Sequence, residues 1–405
     1  MEKGNQILKQ YISKSKFYSG LKIDEDYFEK SCVETPILTK KDIQSKYLDI
    51  LNSDYHNLDI NALKVARTSG STGQPLEVFW SSDEMMRSNL CLWRLRKKYY
   101  NIFPNSICAS FHSILYNKSM PMDTEQIEIY NNGVNISFSK FFLEESDMEL
   151  YLHEMEAFGV EWLLIQPSIA QKLYDYLNAK GTKLPPKIKY IELNGENISK
   201  TAEKRFRNFF EINVANLYGA NEVNAIAYEC PFGHMHILED NVLVQLYDAK
   251  AMDKEISGNI LVSSLTNSVF PIVGYDLGDK VCVENFKCPC GNPAKIIREV
   301  YGRKSDEIEV NGKKIDPFCL TYCVENVNSR FGNPIKQFKV VLSNNELGLI
   351  LEIYSKYRLW EESISTEIIK ICKKALRMNV PIKVEFASQE LSLNHDGKFR
   401  ILERR

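Results

Sequence analysis

The chain has 405 residues, of which 44% are hydrophobic and 26% are charged, and its formal net charge is −2 at pH 7. This composition is typical of a globular protein with a large core, and the near-neutral charge excludes a global attraction for nucleic acid or an anionic membrane. The N-terminus lacks the apolar region of a signal peptide, and no run reaches the roughly 20 apolar residues of a membrane span. We therefore expect a cytoplasmic protein.

The length exceeds that of one ordinary domain and predicts a large domain with a smaller partner. Ten cysteines are scattered through the chain without an export signal, so reduced thiols are expected rather than disulfides. A monomer and a homodimer are equally compatible with the sequence.

The N-terminal part of the chain is polar, rich in lysine and weakly periodic, with helical patches at Gln6–Ser13 and Asp24–Lys30. We expect it to wrap the large domain. Two short strands are predicted at Lys64–Arg67 and Leu76–Trp80, on either side of a loop. Apolar residues at helical spacing then predict one long helix over Ser82–Tyr100.

Strands and helices alternate in the middle of the chain. The predicted strands are Trp162–Ile165, Ile188–Leu193 and Val214–Tyr218, and the predicted helices are Asp147–Phe158, Ser168–Asn178 and Ser199–Phe210. Such a series predicts parallel strands, and ligands of parallel sheets bind beyond the carboxyl ends of the strands. Asn194-Gly195-Glu196 and Tyr218–Glu222 fall at two of these ends, so we expect a binding site there.

A change of pattern follows Cys230. Short alternating strands are predicted at Leu243–Tyr247, Asn259–Ser264, Lys280–Glu284 and Ile296–Val300, and later strands at Phe338–Leu342, Leu349–Tyr354 and Ile382–Phe386, with a helix near Trp360–Met378. The predicted fold class is α/β. It comprises an N-terminal core of residues 1–303 with mainly parallel sheets and flanking helices, a β-rich subdomain within it at residues 230–300, and a small α+β C-terminal domain at residues 304–405.

One group of cysteines and histidines is clustered along the chain. Cys230, His234 and His236 precede Cys288 and Cys290. Three thiols and one imidazole meet the ligand count of a closed tetrahedral zinc site. The spacing is not that of a common zinc finger, so buried cysteines without a metal are the alternative.

The segment between the first two predicted strands is rich in glycine and hydroxyl residues. It reads Thr68-Ser69-Gly70-Ser71-Thr72-Gly73-Gln74-Pro75. Its glycines permit positive φ, and its backbone N–H groups can face an anion, so the loop suits a polyphosphate. It is not a P-loop, because the Gly-Lys-Ser/Thr ending is missing. A flexible surface turn is the alternative.

Five further motifs follow this loop in the chain. They are Asn194-Gly195-Glu196, Tyr218-Gly219-Ala220-Asn221-Glu222, Tyr275-Asp276-Leu277-Gly278-Asp279, Tyr301-Gly302-Arg303-Lys304-Ser305-Asp306 and Asp396-Gly397-Lys398. With the loop, this order resembles the adenylate-forming superfamily of acyl- and aryl-CoA synthetases, peptide-synthetase adenylation domains and luciferases. Within it, the chain is most similar to the phenylacetate-CoA ligase group, which has capsule-associated relatives. The resemblance runs from about Glu34 to the last residues.

The resemblance implies a set of contacts with ATP. The implied nucleotide-binding residues are Thr68, Ser69, Gly70, Ser71, Thr72, Gly73, Gly195, Glu196, Tyr218, Gly219, Asp279 and Arg303. The loop would hold the β- and γ-phosphates, and Tyr218 would stack near adenine. Asp279 would accept hydrogen bonds from the ribose hydroxyls, since a carboxylate offers acceptors on both oxygens.

The resemblance also implies the catalytic groups. Glu222 would help to hold Mg²⁺ on the phosphates, and Lys398 would neutralise charge between the substrate carboxylate and the α-phosphate. Ser305 would lie at the hinge of a mobile C-terminal domain. Three departures are Asn221, where Thr or Ser is usual, Ser305, where many relatives have aspartate, and Asn394-His395-Asp396, where close relatives have a stretch containing Arg and Ser.

Some members of the phenylacetate-CoA ligase group carry a Cys/His zinc site at the corresponding place. The resemblance therefore implies a structural Zn²⁺ on Cys230, His236, Cys288 and Cys290, with His234 as the alternative imidazole. A site with four protein ligands has no open coordination position for catalysis.

The function implied is ATP-dependent activation of an aryl or small acyl carboxylic acid as an acyl-adenylate, with pyrophosphate release and transfer to coenzyme A. Transfer to a carrier-protein thiol or to an amine is the alternative for the second step. A non-catalytic nucleotide-binding scaffold is the alternative of another class. The acid is not readable from the sequence, although Phe111, His112, Tyr116, Phe138, Phe141 and Asn224 are candidates for its pocket.

Overall fold

The structure is a computed structural model. It describes residues 2–21, 23, 26–55, 62–67, 76–112, 127–131, 133–140, 142–252, 254–303, 308–310, 313–315, 317–332, 334–343, 346–376, 381–389, 391 and 402–404. None of the helices in these ranges is long and apolar enough to cross a membrane.

The chain forms two compact units. The first consists of Met1–Gly195 and Phe210–Val300, and the second of Glu196–Phe209 and Tyr301–Arg405. The division falls between Val300 and Tyr301, and the boundary after residue 303 stays a prediction. The segment Glu196–Phe209, predicted to belong to the N-terminal core, is part of the second unit.

A twelve-stranded mixed sheet is the main element of the first unit within the described residues. In spatial order its strands are β11 (Val242–Met252), β12 (Glu255–Ser264), β13 (Tyr275–Glu284), β14 (Ile296–Arg303), β10 (Met235–Ile237), β9 (Asn224–Glu229), β8 (Asn213–Ala220), β7 (Tyr190–Asn194), β6 (Trp162–Ile165), β3 (Cys108–His112), β5 (Asn135–Ser139) and β4 (Ile127–Tyr130). A separate ribbon pairs β1 (Lys64–Arg67) with β2 (Glu77–Trp80).

Strands β8, β7 and β6 are parallel, as the alternating pattern predicts. Strands β3 and β5, which were not predicted, extend the parallel part of the sheet. The region after Cys230 is rich in strands, as predicted, and these strands belong to the main sheet. The chain reverses after β8, and β9 pairs antiparallel with it. Because β10 and β14 then add to that edge, the later strands extend the same sheet.

Helices account for much of the remaining described chain. They are α1 (Glu2–Ser13), α2 (Lys16–Ser19), α3 (Lys40–Ile50), α4 (Ser82–Ser88), α5 (Leu90–Tyr100), α6 (Glu145–Phe158), α7 (Pro167–Lys180), α8 (Lys200–Phe210), α9 (Pro317–Phe331) and α10 (Glu361–Leu376). The N-terminal segment packs on the rest of the first unit, as predicted: the buried Tyr18 hydroxyl donates to the Pro271 carbonyl at 2.7 Å.

The long helix predicted over Ser82–Tyr100 is divided into α4 and α5 at Asn89. The Asn89 side-chain amide donates to the Met85 carbonyl at 2.9 Å. A short amide side chain competes in this way for carbonyls of the preceding turn, which weakens the continuity of a helix.

The second unit contains a four-stranded sheet of its own. Its spatial order is β19 (Ile382–Phe386), β18 (Glu346–Ile353), β17 (Ile335–Ser343) and β20 (Leu402–Arg404), and a hairpin pairs β15 (Ile308–Val310) with β16 (Lys313–Ile315). Helices α9 and α10 bury apolar residues against this sheet, including Leu320, Val327 and Ile368. The cap predicted for α8 is present, because the Ser199 hydroxyl accepts from the Ala202 amide at 3.1 Å.

Candidate nucleotide and metal sites

The carboxyl ends of β7 and β8 lie at the same edge of the sheet, as expected for parallel neighbours. Gly195 follows β7 with φ +76°, a conformation that favours glycine. Tyr218 and Gly219 are close to the end of β8, and Glu222 is in the turn that follows. The structure thus brings these predicted residues of the first unit to one edge. Glu196 belongs to the second unit.

A hydrogen bond joins two of the predicted nucleotide contacts. The hydroxyl of Tyr218 donates to the Asp279 carboxylate at 2.7 Å. These residues are on β8 and β13, which are separated in the sheet by β9, β10 and β14. The sheet must therefore curl strongly enough for the two side chains to meet.

Glu222 occupies the turn between β8 and β9. The Val223 amide donates to the Ala220 carbonyl at 3.0 Å and closes the turn. The Glu222 side chain is only 7% exposed, and its carboxylate accepts a hydrogen bond from the Tyr275 hydroxyl at 3.1 Å. A fixed carboxylate oxygen at this position is the type of ligand that Mg²⁺ prefers.

The turn is stabilised by Asn241, which was not among the predicted site residues. Its side chain is 1% exposed, and its amide donates to the carbonyls of Val223 and Ala225 at 3.0 and 2.7 Å. An asparagine after acidic residues resembles a surface turn in the sequence, so only the long-range hydrogen bonds reveal this role.

Gly219 has no room for a side chain. A Cβ atom there would lie 2.7 Å from the carbonyl oxygen of Asn224 on the paired strand β9. We expect Gly219→Ala to lower the free energy of unfolding by about 1–3 kcal/mol, because backbone atoms must move apart. Thermal or urea unfolding measures this change. The control is Gly20→Ala, where no atom lies within 4 Å and φ is −87°; equal effects of both variants would contradict the steric explanation.

The strands on either side of the predicted phosphate loop are paired. Arg67 is opposite Glu77 in the β1–β2 register, and its Nε is 2.8 Å from the Glu77 carboxylate. The loop residues Thr68, Ser69, Gly70, Ser71, Thr72 and Gly73 lie outside the described residues. Ser305 and Lys398 also lie outside them, and Arg303 is described only as the last backbone position of β14.

Two of the residues suggested for the acid pocket are instead part of the core. Phe111 and Phe138 are fully buried, and their rings lie 5.7 and 4.7 Å from that of Tyr151 on α6. They project from the face of β3 and β5 that α6 covers. Tyr116 and Phe141 lie outside the described residues.

The predicted metal ligands converge in the first unit. One ligand atom each from Cys230, His236, Cys288 and Cys290 lies within 4.8 Å of the other three. The Sγ atoms of Cys230 and Cys288 are 3.7 Å apart, and Cys290 Sγ is 3.3 Å from His236 Nε2. The cluster is assembled from the turn after β9, from β10 and from the segment before β14.

The two histidines differ in their environment. His236 is fully buried, and its Nδ1 is 3.1 Å from the Ala294 carbonyl oxygen, so Nδ1–H donates and Nε2 faces the thiols. Such a second hydrogen bond orients histidine ligands in metal sites. His234 Nδ1 lies 3.3 Å from Cys288 Sγ, and its ring packs on Phe286. The geometry favours His236 as the imidazole ligand.

The thiols of the cluster have shifted acidities. Burial raises the pKa values of Cys230 and Cys288. Burial also acts to raise the pKa of Cys290, but hydrogen bonds from the Asn292 backbone and from Cys288 outweigh it and lower that pKa to about 7. Thiolates rather than thiols bind metal, so this polar environment favours the binding form of Cys290.

Known proteins resemble the chain in sequence and in fold, although no protein-family model matches it. A phenylacetate-coenzyme A ligase of Thermus thermophilus is 22% identical over 342 residues, which are 80% of this chain and 74% of that protein. A crystal structure of 2-hydroxyisobutyryl-CoA ligase in complex with 2-HIB-AMP matches with a TM-score of 0.73 and 15% identity, covering 99% of this chain and 88% of that one. Anthranilate CoA ligase AuaEII in complex with anthranoyl-AMP matches with a TM-score of 0.55 and 12% identity over 83% of this chain and 65% of that one. These similarities confirm the predicted fold class and the predicted resemblance.

Proposed function

We propose, from the fold that this chain shares with adenylate-forming CoA ligases, that it activates a carboxylic acid as an acyl-adenylate and transfers the acyl group to coenzyme A. The observation that carries the proposal is that two predicted site residues near the end of β8 contact β13. The Tyr218 hydroxyl donates to the Asp279 carboxylate, and the Glu222 carboxylate accepts from the Tyr275 hydroxyl. The names of the relatives, a phenylacetate-CoA ligase and a 2-hydroxyisobutyryl-CoA ligase, support an acid as substrate and coenzyme A as acceptor.

The first step joins two anions, because a carboxylate attacks the α-phosphorus of ATP and pyrophosphate leaves. Charge neutralisation and alignment must therefore provide most of the catalysis. We assign the β- and γ-phosphates to the loop of residues 68–73 and a Mg²⁺ to Glu222. When bound, this ion would neutralise phosphate charge. The buried carboxylate and its Tyr275 hydrogen bond fit a fixed metal ligand.

The nucleoside would occupy the edge formed by β7 and β8. Gly195 at the end of β7 leaves space for a flat base, and Tyr218 offers an aromatic surface. Asp279, already oriented by the Tyr218 hydroxyl, would accept hydrogen bonds from the ribose. Glu196 and Arg303 complete the proposed set through the resemblance alone.

The C-terminal residues 304–405 are proposed to form a mobile domain with Ser305 at the hinge. Lys398 must approach the α-phosphate during adenylation and withdraw before an acceptor can reach the adenylate. Coenzyme A is the proposed acceptor, with a carrier-protein thiol or an amine as the alternative. The cytoplasmic location stays a prediction.

We further propose that the Cys/His cluster binds a structural zinc ion. Tetrahedral zinc with Zn–S bonds of about 2.3 Å places two sulfurs about 3.8 Å apart. The distance of 3.7 Å between Cys230 and Cys288 fits this value, and the oriented Nε2 of His236 completes the donor set. The ion would link β10 to the segment before β14.

Pyrophosphate release tests the proposed activity. We expect the purified protein to release pyrophosphate from Mg-ATP in the presence of one acid from a panel of aryl and short acyl acids, and then to form a thioester with coenzyme A. Glu222→Gln removes a charged Mg²⁺ ligand and is expected to lower acid-dependent release by about tenfold or more. Binding of ATP without release for any acid would favour the nucleotide-binding scaffold. Formation of the adenylate without a thioester would favour another acceptor.

A further inference from the structure

We propose that Asn221 is a positioning residue that fixes the entry of the phosphate loop next to Glu222. This inference rests on the proposed function, because it assumes that the loop holds the β- and γ-phosphates of ATP. The observation that carries it is a hydrogen bond of 2.6 Å from the Asn221 side-chain amide to the backbone carbonyl of Arg67. Arg67 is the last residue of β1 and immediately precedes the loop.

Two residues that flank the loop, Arg67 at the end of β1 and Glu77 at the start of β2, face each other in the β1–β2 ribbon. Arg67 and Glu77 are register partners, and their side chains form an ion pair. Both side chains are strongly exposed, at 70% and 44%, and exposed pairs of this kind contribute little and are screened by salt. The amide of Asn221 is a neutral donor, so its hydrogen bond to the Arg67 carbonyl does not depend on ionic strength.

The turn that carries Asn221 is a rigid support. Its closing hydrogen bond runs from Val223 to Ala220, and the buried Asn241 amide holds the carbonyls of Val223 and Ala225. Asn221 and Glu222 are the two central residues of this turn. One backbone element therefore fixes both the proposed Mg²⁺ ligand and the loop entry.

This arrangement has a chemical purpose in the proposed reaction. The loop would bind the phosphates and Glu222 would bind the cation between them, so their separation has to match one ATP–Mg²⁺ geometry. A fixed distance between Arg67, where the loop begins, and Glu222 would remove part of the ordering cost that the ligand would otherwise offset. Serine or threonine is usual at this position in the superfamily that the chain resembles. The hydroxyl of either residue is attached to Cβ, so it lies one atom closer to the backbone than the Asn221 amide nitrogen, which is attached to Cγ.

Equilibrium binding of ATP and of AMP to the full-length protein tests the inference. Asn221→Ala is expected to weaken ATP binding roughly three- to tenfold, as for the loss of one hydrogen bond, and to leave AMP binding unchanged. AMP lacks the β- and γ-phosphates that the loop would hold. The KM for ATP should rise by the same factor, with the KM for the acid unchanged. Asn221→Gln, which keeps an amide donor, should recover part of the affinity.

The controls separate positioning from folding. Asn221 has negative φ, so alanine fits its backbone without strain, and the melting temperature should stay within about 2 °C of the parent. Asn259→Ala removes another exposed amide of the first unit, which contacts Asp248 at 3.3 Å, and should change neither affinity.

Three outcomes would overturn the inference. Unchanged ATP affinity in Asn221→Ala would exclude the positioning role, and equal weakening of ATP and AMP would assign Asn221 to the nucleoside pocket or to general stability. A parent protein that binds neither nucleotide would contradict the proposed function itself, and the inference with it. The parent protein and the variant therefore distinguish the two failures.

Discussion

Replacing Lys398 with alanine is expected to lower acid-dependent adenylation by roughly a hundredfold or more, while ATP binding stays nearly intact. The proposed lysine neutralises charge only while the carboxylate attacks the α-phosphorus, and losing a preorganised charge of this kind costs about 3 kcal/mol of transition-state stabilisation. Pyrophosphate release with the acid identified in the panel measures the effect. Lys383→Ala is the matched control, since Lys383 is an exposed residue of β19 paired with Glu385 at 2.7 Å.

The rate of the second half-reaction distinguishes a catalytic role of Lys398 from a structural one. When the Lys398→Ala variant is given chemically prepared acyl-adenylate, transfer to coenzyme A should proceed at close to the parent rate, because the lysine is expected to have withdrawn. A variant that is equally impaired in both steps would show that the lysine maintains structure. The same result would argue against a mobile C-terminal domain.

The second large effect that we expect is the loss of stability when zinc is removed. The purified protein should contain about one zinc per chain, and Cys290→Ala should lose most of it, because three remaining ligands hold zinc far less tightly. The four ligands are brought together only in the folded chain, so metal binding is coupled to folding, and the variant and the chelated parent should both lose several kcal/mol of stability. Elemental analysis and thermal unfolding measure the two effects.

The two histidines and an unrelated thiol provide matched controls. His236→Ala should lose zinc, whereas His234→Ala should retain it, because the oriented Nε2 belongs to His236. Cys32 is exposed and outside the cluster, so Cys32→Ala should retain the metal. A parent protein without zinc after expression in zinc-replete medium would refute the proposal.

Several elements could be predicted from the sequence because their signals are local. The strands Lys64–Arg67, Trp162–Ile165 and Ile382–Phe386 have the predicted bounds, since short β-rich runs between turn residues are recognisable from a few neighbours. Helix α9 was missed, although Leu320, Cys323, Val324 and Val327 are spaced for one buried helical face. Cysteines, asparagines and β-branched residues gave that segment a weak helix propensity, and burial overrides it.

Helix α3 was missed for a different reason. Its start carries a capping box, in which Thr39 and Asp42 satisfy each other's backbone groups. The pattern of a hydroxyl residue followed three positions later by an acidic residue was present in the sequence. The polar, lysine-rich composition of the N-terminal part concealed it.

By itself, the sequence determined the order of the motifs, the α/β alternation, and the three cysteines and two candidate histidines of the proposed metal site, because residue type and spacing carry that information. The tertiary structure decided which histidine faces the thiols, that the strands after Cys230 continue the main sheet, and that Tyr218 meets Asp279. It also placed the Asn221 amide on the Arg67 carbonyl, which precedes the proposed phosphate loop. These contacts join residues that are far apart in the chain. They depend on how the sheet curls and on the direction of each side chain, which local propensity does not specify.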